Sequence, residues 1–134
     1  MKKGKILVVG DEADTRTFLC TLLETCGYRS IMATDGMEGL RKARETKPGL
    51  IILDVMMLRE GGARVYRELK DDRDLKDIPV IMISDVARRV FYHSQNKFAS
   101  AMGWSLPEPE AFLQKPLEAE DLLRWTESLI TERK

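Results

Sequence analysis

The sequence predicts an α/β fold, a parallel β-sheet with helices packed on both faces. Three observations carry that prediction. The apolar runs Ile6-Leu7-Val8-Val9, Leu50-Ile51-Ile52-Leu53 and Val80-Ile81-Met82-Ile83 are continuous, as expected of strands covered on both sides. Segments with helical apolar spacing lie between them. Strand-like and helix-like segments alternate five times along the chain, which implies right-handed crossovers between parallel strands.

The elements follow in order. The run at 6–9 is the first strand. The first helix places Phe18, Leu19, Leu22, Leu23 and Cys26 on one apolar stripe, and Gly27 suits its C′ position. A weaker run, Ser30-Ile31-Met32-Ala33, is the second strand. Asp35 caps the second helix, with Glu38 three residues on as in a capping box. Met37, Leu40 and Ala43 point inward from it, and it stops before Pro48. After the third strand at 50–53, a third helix runs from about Ala63 to Lys70 and buries Val65, Tyr66 and Leu69. The fourth strand at 80–83 leads to a helix over roughly Val86 to Met102. On it Phe91, Tyr92 and Phe98 are mostly core, and Arg88-Arg89 is solvated surface. Gly103 to Glu110, with Pro107 and Pro109, is a loop. Ala111-Phe112-Leu113 is the fifth strand. The last helix buries Leu122, Leu123, Leu129 and Ile130, with Trp125 in partial core. Glu118, Glu120 and Asp121 sit near its start, where the helix dipole favours acids.

A length of 134 residues makes about one domain. It is expected to span 1–134 with a core of about 5–131 and an extended segment of about 86–111 before the fifth strand. Lys and Arg total 22, as do Asp and Glu, so the net charge is zero. No global field then draws the chain to nucleic acid or to an anionic membrane. No apolar run nears the ~18 residues of a membrane span, and the run behind the basic start Met1 to Lys5 is too short for a signal peptide. A cytoplasmic location is expected. Cys20 and Cys26 are too few for a disulfide framework and diverge around a helix, so they read as small buried hydrophobes. His93 is the only histidine, which excludes a His-based triad or a His-rich metal site.

In an open parallel sheet, chemistry sits beyond the carboxyl ends of the strands. Gly10, Asp11 and Glu12 follow the first run, Asp54 the third, Ser84 and Asp85 the fourth, and Gln114, Lys115 and Pro116 the fifth. Carboxylates, a hydroxyl and an ammonium thus converge on one rim. Asp11 and Asp54 on neighbouring strands repel, and Mg²⁺, which takes oxygen ligands and retained waters, relieves that repulsion. A carboxylate attacks an anionic phosphoryl group only where cations neutralise the charge. Mg²⁺ and Lys115 would supply the cations, and Ser84 would donate a hydrogen bond to a phosphoryl oxygen. The assembled chemistry is phosphoryl transfer onto Asp54. Alone, Asp54 would be a cap or turn residue; Asp11, Ser84 and Lys115 in step decide otherwise.

These residues stand in five segments: Ile6-Leu7-Val8-Val9-Gly10-Asp11-Glu12, Ala33-Thr34-Asp35-Gly36-Met37-Glu38, Leu53-Asp54-Val55-Met56-Met57 with Gly62, Ile78-Pro79-Val80-Ile81-Met82-Ile83-Ser84, and Phe112-Leu113-Gln114-Lys115-Pro116-Leu117. In this order and spacing they resemble the receiver domain of two-component response regulators, from Lys5 to about Ile130. The resemblance implies a doubly wound, five-stranded, flavodoxin-like parallel sheet of order 2-1-3-4-5. It implies that Asp54 is the phosphoacceptor. It further implies Asp11, Asp54 and the backbone carbonyl of Met56 as Mg²⁺ ligands, and Ser84 and Lys115 as the groups that answer the phosphoryl. Phe112 sits where an aromatic switch residue turns, and without a hydroxyl its switch is governed by packing. The Lys115-Pro116 bond is similar to one that is usually cis in receivers.

The implied partners are a sensor histidine kinase or a histidine phosphotransfer protein as donor and an unidentified downstream protein, with no direct nucleic acid and no membrane insertion. Receivers often pair through their output face, so a homodimer is an open alternative. The chain ends soon after the fifth helix, so a stand-alone receiver is expected. It is not an enzyme in its own right but assists its own phosphorylation and dephosphorylation, and it signals through the fourth helix, fifth strand and fifth helix.

Several departures from the family pattern stand out. Gly10 replaces the first of two adjacent acids, which lowers the expected metal affinity. Glu12 is not an obvious substitute, because successive residues point elsewhere. Leu58 replaces the usual proline. Asp85 replaces a small residue, and two readings stand: it repels a phosphodonor, or it restores charge that Gly10 lacks. The stretch from Ser84 to Lys115 is roughly ten residues longer than usual and carries Trp104 in its loop. Gly10 and Asp85 motivate the alternative function, a degenerate pseudo-receiver acting as a phosphorylation-independent interaction module. An aspartyl-phosphate phosphatase would want a second Asp where Met56 stands. A flavin-binding protein would want a phosphate loop where Gly10-Asp11-Glu12 is acidic.

Overall fold

The computed structural model describes residues 3–55, 62–93, 103 and 107–132. The elements are β1 (Lys5–Val9), α1 (Ala13–Thr25), β2 (Arg29–Ala33), α2 (Gly36–Thr46), β3 (Leu50–Asp54), α3 (Gly62–Asp71), β4 (Val80–Ser84), α4 (88–93 within the described residues), β5 (Ala111–Gln114) and α5 (Ala119–Glu132). All strand pairs are parallel, and the sheet order is β2-β1-β3-β4-β5. This is the doubly wound order the sequence led us to expect.

Strand alternation explains the continuous apolar runs. Leu7, Val9, Ile51, Leu53, Val80 and Met82 enter one core, with Leu40 and Ala43 of α2, Val65, Tyr66 and Leu69 of α3, and Phe91 of α4. Ile6, Val8, Leu50, Ile52, Ile81 and Ile83 enter the other, with Leu19 and Leu23 of α1 and Leu122 and Leu129 of α5. Successive side chains point to opposite faces, and with helices on both faces each must be apolar. Every residue of β3 and β4 is accordingly buried. The edge strands β2 and β5 mix buried and exposed positions, so their runs are weaker in the sequence.

The helix ends follow local chemistry. Gly27 has φ +95 and closes α1 in a Schellman arrangement, with Gly27 N–H donating to Glu24 O and Tyr28 N–H to Leu23 O. At α2 the Asp35 carboxylate accepts from the Glu38 N–H at 2.9 Å. The return bond of the box is shifted by one residue, since Glu38 Oε1 accepts from the Thr34 N–H at 2.6 Å. That bond is the main reason the Glu38 carboxyl is held below its usual pKa. Gly62 opens α3 against β3, where a Cβ would lie 2.2 Å from Val55 Cα.

Three side-chain placements differ from the sequence reading. Phe18 is 42% exposed, because the arc of α1 that meets the sheet is centred on Leu19 and Leu23. Met37 is 70% exposed, because Gly36, Gly39, Leu40 and Ala43 form the buried side of α2. Trp125 is 39% exposed, and the smaller Thr126, in step with Leu122 and Leu129, takes the buried position on α5. Cys20 is buried, Cys26 is partly buried, and both are free thiols. Phe98 and Trp104, with the rest of 94–102 and 104–106 in the predicted extended segment, lie outside the described residues, as do Met56 and Leu58. Among the described residues no helix is long and apolar enough to cross a membrane.

Candidate functional site

Asp54 is the last residue of β3, at the carboxyl end of a central strand. Ser84 ends β4 beside it. Gly10 follows β1 on the other side, and a Cβ built there would lie 3.3 Å from Asp54 Cβ and 3.8 Å from Asp54 Oδ2. Lys115 follows β5, and its backbone N–H donates to Ser84 O at 2.7 Å. The sheet therefore gathers the rim residues at one edge, as the strand-end rule requires.

β3 and β5 are separated by β4, a gap of roughly 10 Å at ordinary strand spacing. Only a long side chain spans it. Lys115 does, and its Nζ donates to Asp54 Oδ2 at 2.9 Å. The same nitrogen donates to Glu12 Oε1 at 2.7 Å and lies 3.8 Å from Asp85 Oδ1. The Asp54 side chain is only 3% exposed and that of Lys115 14%, whereas those of Glu12 and Asp85 are 59% and 63% exposed. Burial by itself works against the ammonium. The hydrogen bonds to Glu12 and Asp54 and the charges of Asp54 and Asp85 outweigh it and hold the Lys115 pKa above the usual lysine value. The Lys115-Pro116 peptide is cis.

Ser84 is fully buried, and its Oγ accepts the Val86 N–H at 3.0 Å. That turn fixes the hydroxyl, whose proton serves as a donor. Asp11 is exposed and directly follows Gly10 in the loop after β1. Phe112 is partly buried on the far side of β5, with its ring 5.7 Å from that of Phe91 and 6.1 Å from that of Tyr92. Burial pushes the Tyr92 hydroxyl up to about 12. Arg88, read from sequence as solvated surface, is exposed but pairs with Glu108 and lies over the Tyr92 ring.

The rim thus brings together Asp54, Ser84, Lys115 and Gly10, with Asp85 at its mouth and Asp11 exposed next to Gly10 in the chain. Glu12 corrects the sequence reading. The expected direction away from the rim does not hold, because the residue lies beyond β1 at the N-cap of α1 and not on a strand. Its side chain turns back to Lys115. Arg16 was missed altogether. Its Nη1 donates to the Gly10 carbonyl at 2.8 Å and ties α1 to the loop after β1. A basic residue one turn into a helix carries no sequence signal for that role. Beside the rim, Asp14, Thr15, Phe18, Lys115, Pro116 and Leu117 line an open groove of about 280 Å³.

The family model of the response regulator receiver domain matches residues 6–127. Among curated proteins, the chain is 41% identical over 90 residues to a probable transcriptional regulator, ycf27, of Porphyridium aerugineum. That match covers 67% of this chain and 38% of the relative, so the chain spans under two fifths of that regulator's length. It is 36% identical to the polar-differentiation response regulator DivK of Brucella anthropi, covering 66% of this chain and 72% of DivK. Among solved structures it is similar to the signal receiver domain of a signal transduction histidine kinase from Syntrophus aciditrophicus. The TM-score is 0.82 at 30% identity, covering 98% of this chain and 92% of that one.

Proposed function

Because the chain belongs to the response regulator receiver family, we propose that it accepts a phosphoryl group on Asp54 from a sensor histidine kinase or a histidine phosphotransfer protein. The observation that carries the reading is the buried Asp54 carboxylate held 2.9 Å from the Lys115 ammonium. In the transfer, an Asp54 oxygen attacks phosphorus and forms a P–O bond. The donor's P–N bond breaks and its electron pair stays on the imidazole. Lys115 neutralises charge on the phosphoryl oxygens, and Ser84 donates its hydroxyl proton to one of them. The groove along Phe18 and Pro116 gives the donor a landing surface next to the acceptor.

Mg²⁺ belongs to this proposal. Among the described residues no three His, Cys, Asp or Glu side chains converge as a metal cage. The donors that do stand at the rim are oxygen-only, and one or two carboxylates with retained waters suit Mg²⁺. Asp11 and Asp54 would hold it, together with the backbone carbonyl of Met56, which lies outside the described residues. When bound, it supplies the charge neutralisation that a dianionic phosphoryl group needs.

Output through α4, β5 and α5 draws support from the Phe91-Tyr92-Phe112 contact between α4 and β5. Gly10 favours one competing reading, a pseudo-receiver that binds a partner without phosphorylation. Incubation with acetyl phosphate and Mg²⁺, followed by intact-mass measurement, separates the two. One added phosphoryl group, absent in Asp54→Asn, is expected; no gain at any Mg²⁺ concentration supports the pseudo-receiver.

A further inference from the structure

We propose that Glu12 is a positioning residue that holds Lys115 in the resting pocket and must yield it to the phosphoryl group. The proposal rests on the phosphoacceptor reading above. The geometry is a stack. Asp54 forms the floor, Lys115 Nζ the middle and Glu12 the lid on the solvent side, with side-chain exposures of 3%, 14% and 59%. Two of the three ammonium donors are engaged, at 2.9 Å and 2.7 Å. The third faces Asp85 at 3.8 Å, beyond hydrogen-bond distance.

A phosphoryl group joined to a floor carboxylate grows outward, toward the mouth. Its oxygens enter the space on the solvent side of Lys115, where Glu12 now bonds. Asp54 loses its carboxylate charge on becoming an acyl phosphate, so the ammonium's attraction moves outward with the new dianion. Glu12 is then a monoanion competing with a dianion for one cation, and it adds like charge in the path of an incoming donor. It is built to let go, since its side chain is mostly solvated and makes no capping bond to α1.

Phosphorylation by acetyl phosphate at saturating Mg²⁺, and the affinity for beryllofluoride by calorimetry, test the proposal in wild type, Glu12→Gln and Glu12→Asp. Glu12→Gln removes the charge. Glu12→Asp keeps it on an arm ~1.5 Å shorter, too short for the 2.7 Å contact. Both variants are expected to label about two- to fivefold faster, the span of an ion pair with one exposed partner, and to bind beryllofluoride tighter by a similar factor. Thermal melting of each variant confirms a folded sample. Rates equal to or below wild type in Glu12→Gln overturn the proposal while leaving Asp54 as the acceptor. A gain in Glu12→Gln with none in Glu12→Asp also overturns it, because repulsion of the donor and not the hold on Lys115 would then be acting. If neither wild type nor any variant labels, the phosphoacceptor reading itself fails and the proposal falls with it.

Discussion

Replacing Lys115 with methionine keeps most of the side-chain volume and deletes the charge at the centre of the rim. The consequence can be worked from the three carboxylates around it. Glu12 and Asp85 are more than half exposed, so losing their pairing costs at most about 1 kcal/mol each, and water takes over their solvation. Asp54 is different. Its side chain is 3% exposed and its Oδ2 bonds the ammonium at 2.9 Å. Removing one member of a fully buried pair costs about 3–5 kcal/mol. The Lys115 head opens on the mouth at 14% exposure, which admits water and lowers that to about 2–3 kcal/mol. For a domain of this length the shift in Tm is then roughly 6–15 °C downward. The assay is urea or thermal unfolding at neutral pH of wild type, Lys115→Met, Asp54→Asn and the double variant. Asp54→Asn removes the buried charge that Lys115 offsets, so the double variant is expected to recover much of the Lys115→Met loss. An unchanged Tm in Lys115→Met, or strictly additive losses in the double variant, would refute the coupling between the buried Asp54 carboxylate and the Lys115 ammonium.

The same ammonium fixes a pH dependence. The Lys115 pKa is raised in the folded state, so its stabilising contribution is complete below the ordinary lysine value of about 10.4 and is lost as pH climbs through the raised value. The stability difference between wild type and Lys115→Met, measured by urea unfolding, is expected to stay level up to about pH 9 and to shrink above about pH 10.4; a difference that widens there reverses the sign and rejects the assignment. Gly62→Ala places a Cβ 2.2 Å from the Val55 backbone, where no side chain can move aside. It is expected to cost more than about 3 kcal/mol, beyond the usual overpacking range, and to slow phosphorylation, because Val55 follows Asp54 directly. A fully stable Gly62→Ala protein would show that α3 can withdraw from β3.

The fold was legible because burial on two faces leaves a one-dimensional trace. β1, β3 and β4 lie between helix layers, so their sequences admit no polar alternation, and each run ends where the strand meets the rim. Asp54, Ser84 and Lys115 could be found for the same reason, since a strand end is a position along the chain. Residues on the arc of a helix were less legible. Phe18, Met37 and Trp125 are apolar at spacings that fit a stripe, but which 100° of the helix meets the sheet is set by packing. There Gly39, Ala43 and Thr126 win the contact by being small.

By itself the sequence determined the alternation of strands and helices, the rim residues and the missing acid at Gly10. Only the tertiary structure decided which carboxylates share Lys115. A lysine spans two strand spacings, and a glutamate at a helix N-cap turns back across a loop. The direction of such long, flexible side chains depends on charges distant in sequence and close in space, and local residue patterns do not encode it.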